Sequence, residues 1–509
     1  MRLWLKRNAW LVAIACAYLY IFPHFPKTRN ANELPRVYLV KAMVDDHTFA
    51  IDRGVKRWGK TVDVADAGGH SYSNKAPGSS MLVAPVYAVL SLFGEPSLDF
   101  TVWLCRIFAG VIPTLLFLRL LSRFLERYAP DEDVRRVVLV AYALGSMAMT
   151  FSVTFISHQL SAVVVGSCWI LALDYADRKR GTGALIAAGL LAGCAPLVDY
   201  QAAFAIPVIA VHAIVKLRGR SAGDYARIVG IACAGAALPI AILLTYHAAA
   251  FGSPLCTGYD PACVKTPFAG LQSQGFLGLS SFRLHSFIGS TVSPDNGLFT
   301  LAPWLLLAIP GAILLWKRDR ATTITCGTLV VMYLVFVSSL AMWRAGWSVG
   351  PRYITVMLPF LLPLVATALQ EWRAKWWLFG IAGGTILVGI AIYSISSATF
   401  IPWPDVLNHG GQLEPIRNPL YEVSLHVLAD GGGAPNVLTA IVGGPPVIGI
   451  IPYLAIVFGF AGWSIRKVAG WRPLIVSAGV ALAILVGYSL FPATTHADEL
   501  VKRIASFMT

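Results

Sequence analysis

Two polar stretches near the amino terminus contain charged side chains that could take part in chemistry. One stretch has a lysine that could bind a phosphate, and the other has an acidic and a basic residue spaced to lie on one face of a helix. Lys75 lies in a turn between Gly69 and Gly78, where its ammonium offers a compact charge to a lipid phosphate. The same lysine can instead reach the head groups without specificity. Glu33 precedes Arg36 by three positions, so a helix that begins here carries both on one face. The simpler interpretation of that pair is a carboxylate at the positive helix end beside a solvated arginine.

Ionisable residues also stand at the ends of two long apolar runs. His158 begins the run that extends to residue 176, and Asp199 follows the run that starts at residue 183. Ionisable groups at membrane depth mark functional cavities. Both residues are close to the interface, where water can also satisfy them. The sequence therefore leaves cavity lining and simple hydration open for each.

Residues of the types that bind metal ions occur close together in the first polar stretch, at Asp45, Asp46, His47 and His70. Their spacing matches none of the patterns that mark zinc or calcium sites. We interpret these residues as turn and solvated residues and predict no cofactor, with a divalent metal ion as the open alternative.

The cysteines fall into two groups. Six of the eight lie in apolar runs, where a free thiol behaves as a small hydrophobic group. Cys256 and Cys263 instead share one polar loop and stand seven positions apart. If that loop faces an oxidising compartment, the two thiols are expected to form a disulfide.

The elements that must position these residues are membrane helices. Of the 509 residues, 57% are hydrophobic and 13% are charged, against about 25% charged in soluble proteins. The formal charge of +14 does not indicate nucleic acid, because most basic residues stand in short loops between apolar runs. No Walker or Rossmann fingerprint is present in the sequence. The composition predicts an all-α polytopic membrane protein.

Apolar runs of about 20 residues cross a hydrocarbon core of about 30 Å. We predict thirteen spans, at residues 9–25, 100–121, 136–156, 159–176, 183–198, 201–216, 227–249, 298–316, 321–342, 353–370, 376–398, 446–464 and 473–491. A further run, Ser80–Gly94, is short and contains Pro85. We place it on the membrane surface as a helix.

The basic residues give the expected orientation. With Ser80–Gly94 on the surface, most of them fall in every second loop, which the positive-inside rule places in the cytoplasm. This predicts a cytoplasmic amino terminus and an extracytoplasmic carboxyl terminus. The outer polar stretches are then residues 26–99, 250–297, 343–352 and 399–445. Within the first of them, residues 31–52 are expected to form a short amphipathic helix on the membrane face.

The order of these residues resembles the GT-C glycosyltransferases. An acidic residue with an arginine three positions later follows the first span, a Lys-x-Pro turn opens a surface helix, and Arg106 stands early in the second span. Further matches are Tyr246-His247-x3-Phe251-Gly252-Ser253-Pro254, Ser293-Pro294-Asp295-Asn296-Gly297-Leu298-Phe299 and Trp343-x2-Gly346-Trp347-Ser348-x-Gly350-Pro351-Arg352-Tyr353. The sequence is similar to the lipid A aminoarabinose transferase and the protein O-mannosyltransferases over most of residues 1–370.

The resemblance implies a role for each matching residue. Glu33 matches the acidic residue proposed as catalytic base in the family, with Asp45 or Asp46 as the alternative if the register differs. The residues expected to hold the phosphate of a lipid-linked donor are Lys75, Arg352 and Arg106. The remaining candidates for lining the cavity are Arg36, Asp45, Asp46, His158, Asp199 and Tyr246.

The resemblance also implies an activity. A sugar would move from a polyprenyl-phosphate donor to a glycan, lipid or protein on the outer face of the cytoplasmic membrane, by metal-independent inverting displacement. Residues 1–250 would form the catalytic module and residues 251–509 a variable module that shapes acceptor choice. A lipid-linked glycan flippase or transporter is the alternative from another class, and a glycan polymerase or ligase is a third.

Overall fold

The computed structural model describes residues 2–25, 30–409 and 412–491, together with residues 499, 502 and 504. The chain is built mainly from α-helices, with two short antiparallel hairpins. Within these residues, eight helices are long and apolar enough to cross a membrane: Leu98–Arg127, Ser157–Ala176, Ala222–Phe251, Arg320–Ser339, Arg352–Trp372, Trp376–Ala398, Val447–Ala469 and Trp471–Ser489. The chain is a multi-pass membrane protein.

The segment between the first two predicted spans folds into three helices and a hairpin. The elements are α1 (Arg2–Tyr20), which precedes it, and then α2 (Leu34–Asp45), α3 (Asp52–Trp58), β1 (Val64–Ala67), β2 (His70–Ser73) and α4 (Gly78–Ser91). The two strands pair antiparallel, with Val64 opposite Ser73. Exposed apolar side chains on and just after α4, among them Leu82, Val89 and Phe93, suit a helix that lies in a membrane interface.

The helix predicted within residues 31–52 is present as α2, but it is not amphipathic. Every side chain from Leu34 to Ala42 is buried. The reason is that α4 and a cluster of aromatic rings cover α2 on more than one side, so no face is left to water. The charged residues on α2 must therefore find partners inside the protein.

The first half continues with eight helices: α5 (Leu98–Arg106), α6 (Ile112–Phe124), α7 (Glu132–Leu144), α8 (Met147–Ser152), α9 (Ser157–Ala176), α10 (Thr182–Val198), α11 (Ala205–Lys216) and α12 (Ala222–Phe251). The second half contains α13 (Ala269–Gln272), α14 (Leu284–Thr291), α15 (Leu298–Leu301), α16 (Ala308–Trp316), α17 (Arg320–Ser339), α18 (Leu358–Trp372), α19 (Trp376–Ala398), β3 (Val406–His409), β4 (Gln412–Pro415), α20 (His426–Ala429), α21 (Val437–Val442), α22 (Val447–Ala469) and α23 (Trp471–Ser489).

Each of the predicted spans coincides with a helix or with a broken helix. The span predicted at 136–156 is broken, because α7 ends at Leu144 and α8 begins at Met147. The number of helices that cross the bilayer, and the side on which each loop lies, stay predictions. Both chain ends lie partly outside the described residues.

α10 and α12 lie close together because small residues face each other. A Cβ atom at Gly189 would be 2.2 Å from the carbonyl oxygen of Ala232, and one at Gly193 would be 2.5 Å from that of Ala236. Small residues let helix backbones approach in a bilayer, where packing holds helices together. This contact fixes the end of α10, which is followed by Asp199.

The centre of the molecule is packed with large aromatic side chains whose polar tips are satisfied. Trp304 and Trp169 are at most 1% exposed. The indole Nε1 of Trp304 donates to the carbonyl of Gly145 at 2.7 Å, and that of Trp169 donates to His212 at 3.0 Å. Buried indoles need such partners. The core therefore holds its helices in defined positions below the polar cluster described next.

Candidate functional site

Lys75 lies in the turn between β2 and α4, and the fold seats this turn against the end of α10. A Cβ atom at Gly78 would be 2.5 Å from the carbonyl oxygen of Leu197, so only glycine permits this contact. The Lys75 side chain is buried. Its Nζ lies 3.0 Å from Oδ1 of Asp63 and donates to the hydroxyl of Tyr259 at 3.0 Å.

A disulfide-closed loop holds Tyr259 beside Lys75. Cys256 and Cys263, the two cysteines of the polar loop, are bonded to each other. The residue two positions after Cys263 pairs with β1 through two backbone hydrogen bonds, of 2.8 and 2.9 Å. The loop is thus fixed at both its disulfide and its exit, and Tyr259 completes the surroundings of the ammonium.

Arg36 joins three elements through hydrogen bonds of its guanidinium. Nε donates to Asn32 Oδ1 at 3.3 Å, and Nη1 donates to the carbonyl of Ala76 at 3.3 Å and to Ser79 Oγ at 3.1 Å. Nη2 donates to Ser157 Oγ at 3.0 Å. The side chain is only 3% exposed. It is a buried positive charge that links α2 to the turn before α4 and to the start of α9.

Asp199, which is partly buried, and His158, which is buried, form a hydrogen-bonded pair next to Arg36. Oδ2 of Asp199 accepts from Nδ1 of His158 at 3.1 Å, from Ser157 Oγ at 3.3 Å and from Gln201 Nε2 at 3.4 Å. Burial alone raises the pKa of Asp199, but the contact with His158 and the charge of Arg36 hold it below its usual value. Asp199 is therefore ionised.

Arg352 stands at the end of the Trp-rich motif, where a tight loop meets the short 3₁₀ turn Arg352–Met357 before α18. Its Nη2 donates to the carbonyl of Ala345, which has a positive φ of 62°. A non-glycine residue in this region is uncommon. Nε of Arg352 is buried and has no hydrogen-bond partner among the described residues. The motif loop thus holds an arginine with an unused donor inside the protein.

The charges of this cluster do not cancel. Lys75, Arg36 and Arg352 act on one another electrostatically, and the carboxylates that face them are Asp63 and Asp199. Burial lowers the pKa of Lys75; Asp63 opposes this effect, whereas Arg36 and Arg352 add to it. Buried charges need compensation. With three cations against two carboxylates, the cluster suits a further anion.

Glu33 lies one helical turn before Arg36, and both of its carboxylate oxygens accept hydrogen bonds. Its carboxylate accepts from Arg106 Nε at 2.9 Å and from Nη2 at 2.7 Å, and the backbone N–H of Phe155 donates to it at 2.5 Å. Burial alone raises the pKa of Glu33, but the charge and hydrogen bonds of Arg106 lower it below the usual value. Arg106, a predicted phosphate ligand, is thereby committed to Glu33 in this structure.

Asp45 and Asp46 lie away from the three cations, whereas the charge of Arg36 acts on Tyr246. Asp45 is about 13 Å further along α2 than Arg36 and accepts from the Tyr87 hydroxyl at 2.8 Å. Asp46 pairs with Arg53 at 2.8 Å. Tyr246 packs among the aromatic rings of Phe49 and Phe251.

The residues weighed as metal ligands do not form a group in the part of the chain that the structure describes. His70 pairs with Asp52 at 2.7 Å. Within the described ranges, the group of side chains close enough to share an ion is Cys256, Asp260 and Cys263. Both sulfur atoms of that group are occupied by the disulfide.

Sequence reasoning missed Asp63, Tyr259 and Ser157. Asp63 is an unremarkable acidic residue in a polar stretch, and no spacing connects it with Lys75. Ser157 precedes His158 but carries no motif. For Tyr259 a signal existed, because it stands between the two cysteines of the predicted disulfide, where a side chain would be held rigidly.

No protein-family model matches the sequence, and no curated protein matches it. Among solved structures, the chain has a distant similarity to ArnT and to an oligosaccharyltransferase. For ArnT from Cupriavidus metallidurans in the apo state, the TM-score is 0.46 at 14% identity, over 94% of this chain and 76% of that one. For the same protein bound to undecaprenyl phosphate, the values are 0.45 and 13%, over 94% and 77%.

A third similar structure is the Archaeoglobus fulgidus oligosaccharyltransferase in its apo form, with a TM-score of 0.44 at 13% identity. The match covers 89% of this chain but only 56% of that protein. The substrate and the catalytic residues must follow from the site itself.

Proposed function

We propose that the protein transfers a sugar from a polyprenyl-phosphate donor to a glycan, lipid or protein at the outer face of the cytoplasmic membrane. The observation that carries this proposal is the cluster of Lys75, Arg36 and Arg352, three buried cations with an excess of positive charge and an unpartnered guanidinium N–H. Such a cluster fits a phosphate group. A lipid-linked phosphate reaches it from the bilayer, which explains a charged site among apolar helices.

The proposed reaction is a direct displacement at the anomeric carbon. The oxygen of an acceptor hydroxyl forms the new bond to this carbon, while the bond from the carbon to the phosphate oxygen breaks. The electron pair leaves with the polyprenyl phosphate. Negative charge develops on that phosphate in the transition state, and fixed cations stabilise it. Attack opposite the leaving group inverts the anomeric centre. In the proposal, side chains alone supply this stabilisation.

The acceptor hydroxyl must also lose its proton. The resemblance makes Glu33 the base. In the described conformation Glu33 accepts three hydrogen bonds, so this role requires Arg106 to release the carboxylate when the substrates bind. Glu33 has a structural role in either case, since it connects the start of α2 to α5 and to Phe155.

The proposed donor site draws on both halves of the chain. Residues 1–250 supply Lys75 and Arg36, and the disulfide loop and the Trp-rich motif of residues 251–509 supply Tyr259 and Arg352. In our proposal, the second module therefore takes part in donor binding as well as in acceptor choice.

The test is single-turnover transfer by the purified protein in lipid, with a panel of polyprenyl-phosphate sugars and an envelope extract as acceptor. We expect release of polyprenyl phosphate by the wild type and its loss in Lys75→Ala. Lys216→Ala is the control, because Lys216 is also paired with an aspartate but lies near the other end of α11, with Asp319.

Other products would identify the alternatives. Movement of the intact lipid-linked sugar across the bilayer without release of polyprenyl phosphate would establish a flippase. Addition of many sugars to one acceptor would establish a polymerase. Full activity of Lys75→Ala would contradict the phosphate site.

A further inference from the structure

His158 combines deep burial with an unused ring nitrogen. The residue is 5% exposed and lies in the first turn of α9. Its Nδ1 faces Oδ2 of Asp199 at 3.1 Å. Its Nε2 is buried and has no hydrogen-bond partner among the described residues. A polar atom in this position is costly unless it has something to bind.

The contact with Asp199 decides which nitrogen of His158 carries the proton. An ionised carboxylate only accepts hydrogen bonds, so Nδ1 must be the donor. The neutral ring then has its lone pair on Nε2. Asp199 is itself held by hydrogen bonds from Ser157 and Gln201, so it fixes the orientation of the imidazole through Nδ1. This is how a histidine is prepared to accept a proton.

The histidine belongs to the same cluster as the proposed phosphate ligands. Ser157, its neighbour, accepts from Arg36, and Arg352 and Arg36 act on the ring electrostatically. The rings of Phe151 and Tyr353 pack edge-on against it, with centroids 5.4 and 5.8 Å away. The charged groups that face His158 are therefore Asp199, Arg36 and Arg352.

We propose that His158, held by Asp199, accepts the proton of the acceptor hydroxyl. This inference rests on the function proposed above. As the acceptor oxygen forms its bond to the anomeric carbon, its proton passes to Nε2 of His158, and the polyprenyl phosphate leaves with the electron pair of the broken bond. The imidazolium then carries one positive charge beside Asp199, and it returns the proton to water after the product leaves. Asp199 is a positioning residue in this scheme.

The hydrogen bonds of the two candidates favour His158 over Glu33. A carboxylate has about four lone-pair positions, and three donors already occupy Glu33. Protonation of Glu33 would also leave Arg106 as an uncompensated buried charge. Protonation of His158 is opposed by burial and by the charges of Arg352 and Arg36, but Asp199 is hydrogen-bonded to the ring and compensates the charge that forms.

The experiment measures kcat and KM for polyprenyl-phosphate sugar transfer as a function of pH, in the wild type and in His158→Gln. A general base contributes about 10²–10⁴-fold to the rate. We expect kcat to fall by about that factor, the KM for the donor to change less than about threefold, and the acidic limb of the kcat/KM profile to disappear. Asp199→Asn should lower kcat by a smaller factor and shift that limb.

His212→Gln is the matched control. His212 is 2% exposed and lies on α11, and its Nε2 has no partner among the described residues. Its Nδ1 accepts from Trp169, and no carboxylate in the described part of the chain hydrogen-bonds to it, so we expect wild-type kinetics. A general loss of packing around buried histidines would affect both variants, whereas loss of the base affects only His158→Gln.

A second variant keeps the inference testable if His158→Gln does not fold. In Glu33→Gln/Arg106→Met the amide oxygen still accepts from Phe155, while both charges are gone. We expect this protein to retain the acidic limb. The opposite result would be loss of the acidic limb of the kcat/KM profile in Glu33→Gln/Arg106→Met, while His158→Gln or Asp199→Asn keeps it. That result would overturn the inference and assign the base to Glu33. If the wild type itself transfers no sugar, the proposed function fails, which is a separate result.

Discussion

The ammonium of Lys75 has three N–H donors, and two of them have partners among the residues that the structure describes. Asp63 and Tyr259 lie 3.0 Å from the nitrogen. The third donor is available to a phosphate oxygen. The Glu33–Arg106 pair differs, since both nitrogens that face the carboxylate are used and a backbone N–H adds a third bond. At the scale of single residues, one buried ion pair is open to a ligand and the other is closed.

The Lys75–Asp63 pair, which is open to a ligand, predicts that a single variant and a double variant differ in stability but not in affinity for polyprenyl phosphate. Lys75→Met removes a charge-assisted hydrogen bond to the phosphate, worth about 1.5–3 kcal/mol, so affinity for polyprenyl phosphate should fall about 10–100-fold. It also leaves Asp63 as an unpaired buried charge, and thermal stability should fall. Lys75→Met/Asp63→Asn should recover stability without recovering affinity.

Binding can be followed by titration of the protein in nanodiscs with polyprenyl phosphate, and stability by the thermal unfolding midpoint. If the double variant also recovers affinity, Lys75 serves only to neutralise Asp63.

The Glu33–Arg106 pair, which is closed to a ligand, predicts that the stability of the protein falls at acidic pH. Arg106 holds the pKa of Glu33 below its usual value, whereas the unfolded chain has an ordinary pKa of about 4.3. The stabilisation is therefore complete above pH 4.3 and is lost as pH falls through the pKa of the folded protein. The thermal midpoint of the wild type should fall more between pH 5 and pH 3 than that of Glu33→Gln/Arg106→Met. Equal slopes in the two proteins would contradict the pairing.

At the scale of elements, the site depends on close approaches that involve glycine. The turn that carries Lys75 rests on the end of α10 at Gly78, and the loop that carries Tyr259 rests on the same turn, where a Cβ at Gly258 would be 2.5 Å from Cα of Asn74. Three chain segments thus meet with little space between their backbones. Each segment fixes the position of the next.

Gly78→Ala should move the Lys75 turn away from the end of α10 without removing any functional group of the site. The added methyl group would have to move about 1 Å or more from the carbonyl oxygen of Leu197, and the Lys75 turn would move with it. Displacements of this size are costly for positioned groups, so transfer should fall about 10²-fold while the protein stays folded. Gly183→Ala, where nothing lies within 4 Å of the added Cβ, is the control. Unchanged activity of Gly78→Ala would show that the turn tolerates the shift.

The sequence allowed the helices to be predicted better than the site. Apolar runs locate membrane helices because the bilayer requires them, and the predicted disulfide followed from two cysteines in a polar loop. The lack of amphipathicity in α2 was not predictable, because it depends on what covers the helix. Asp63 and Tyr259 were missed for the same reason: they meet Lys75 across 12 and 184 positions of sequence, and no local pattern records such contacts.

At the scale of the whole molecule, the polar cluster lies where α2, the turn before α4, α9, α10 and the start of α18 meet. From the positive-inside rule we predict that this end lies outside the cytoplasm. The opposite end contains ion pairs of another kind, such as Lys216 with Asp319 and Arg127 with Asp174, which join neighbouring helices. The two ends are therefore chemically distinct.

Cysteine labelling tests the predicted orientation. Ser273 and Thr182 are both exposed; Ser273 lies in a loop and Thr182 begins α10 directly after another loop, and we place these two loops on opposite sides. In intact cells, an impermeant maleimide should label Ser273→Cys and leave Thr182→Cys unlabelled, and it should label both after lysis. The unmodified protein measures the background from its free cysteines. Labelling of Thr182→Cys in intact cells would reverse the orientation and place the cluster in the cytoplasm.

The length of α12 makes the protein sensitive to the thickness of its membrane. Thirty helical residues extend about 45 Å, whereas a typical hydrocarbon core measures about 30 Å. The last turns must extend beyond the core, where Tyr246 meets Phe49 and His247 hydrogen-bonds to Tyr200. A bilayer of different acyl-chain length would change the tilt of α12 through hydrophobic mismatch. Because small residues hold α10 against α12, we expect that tilt to move Asp199, so that the proposed transfer would depend on lipid composition.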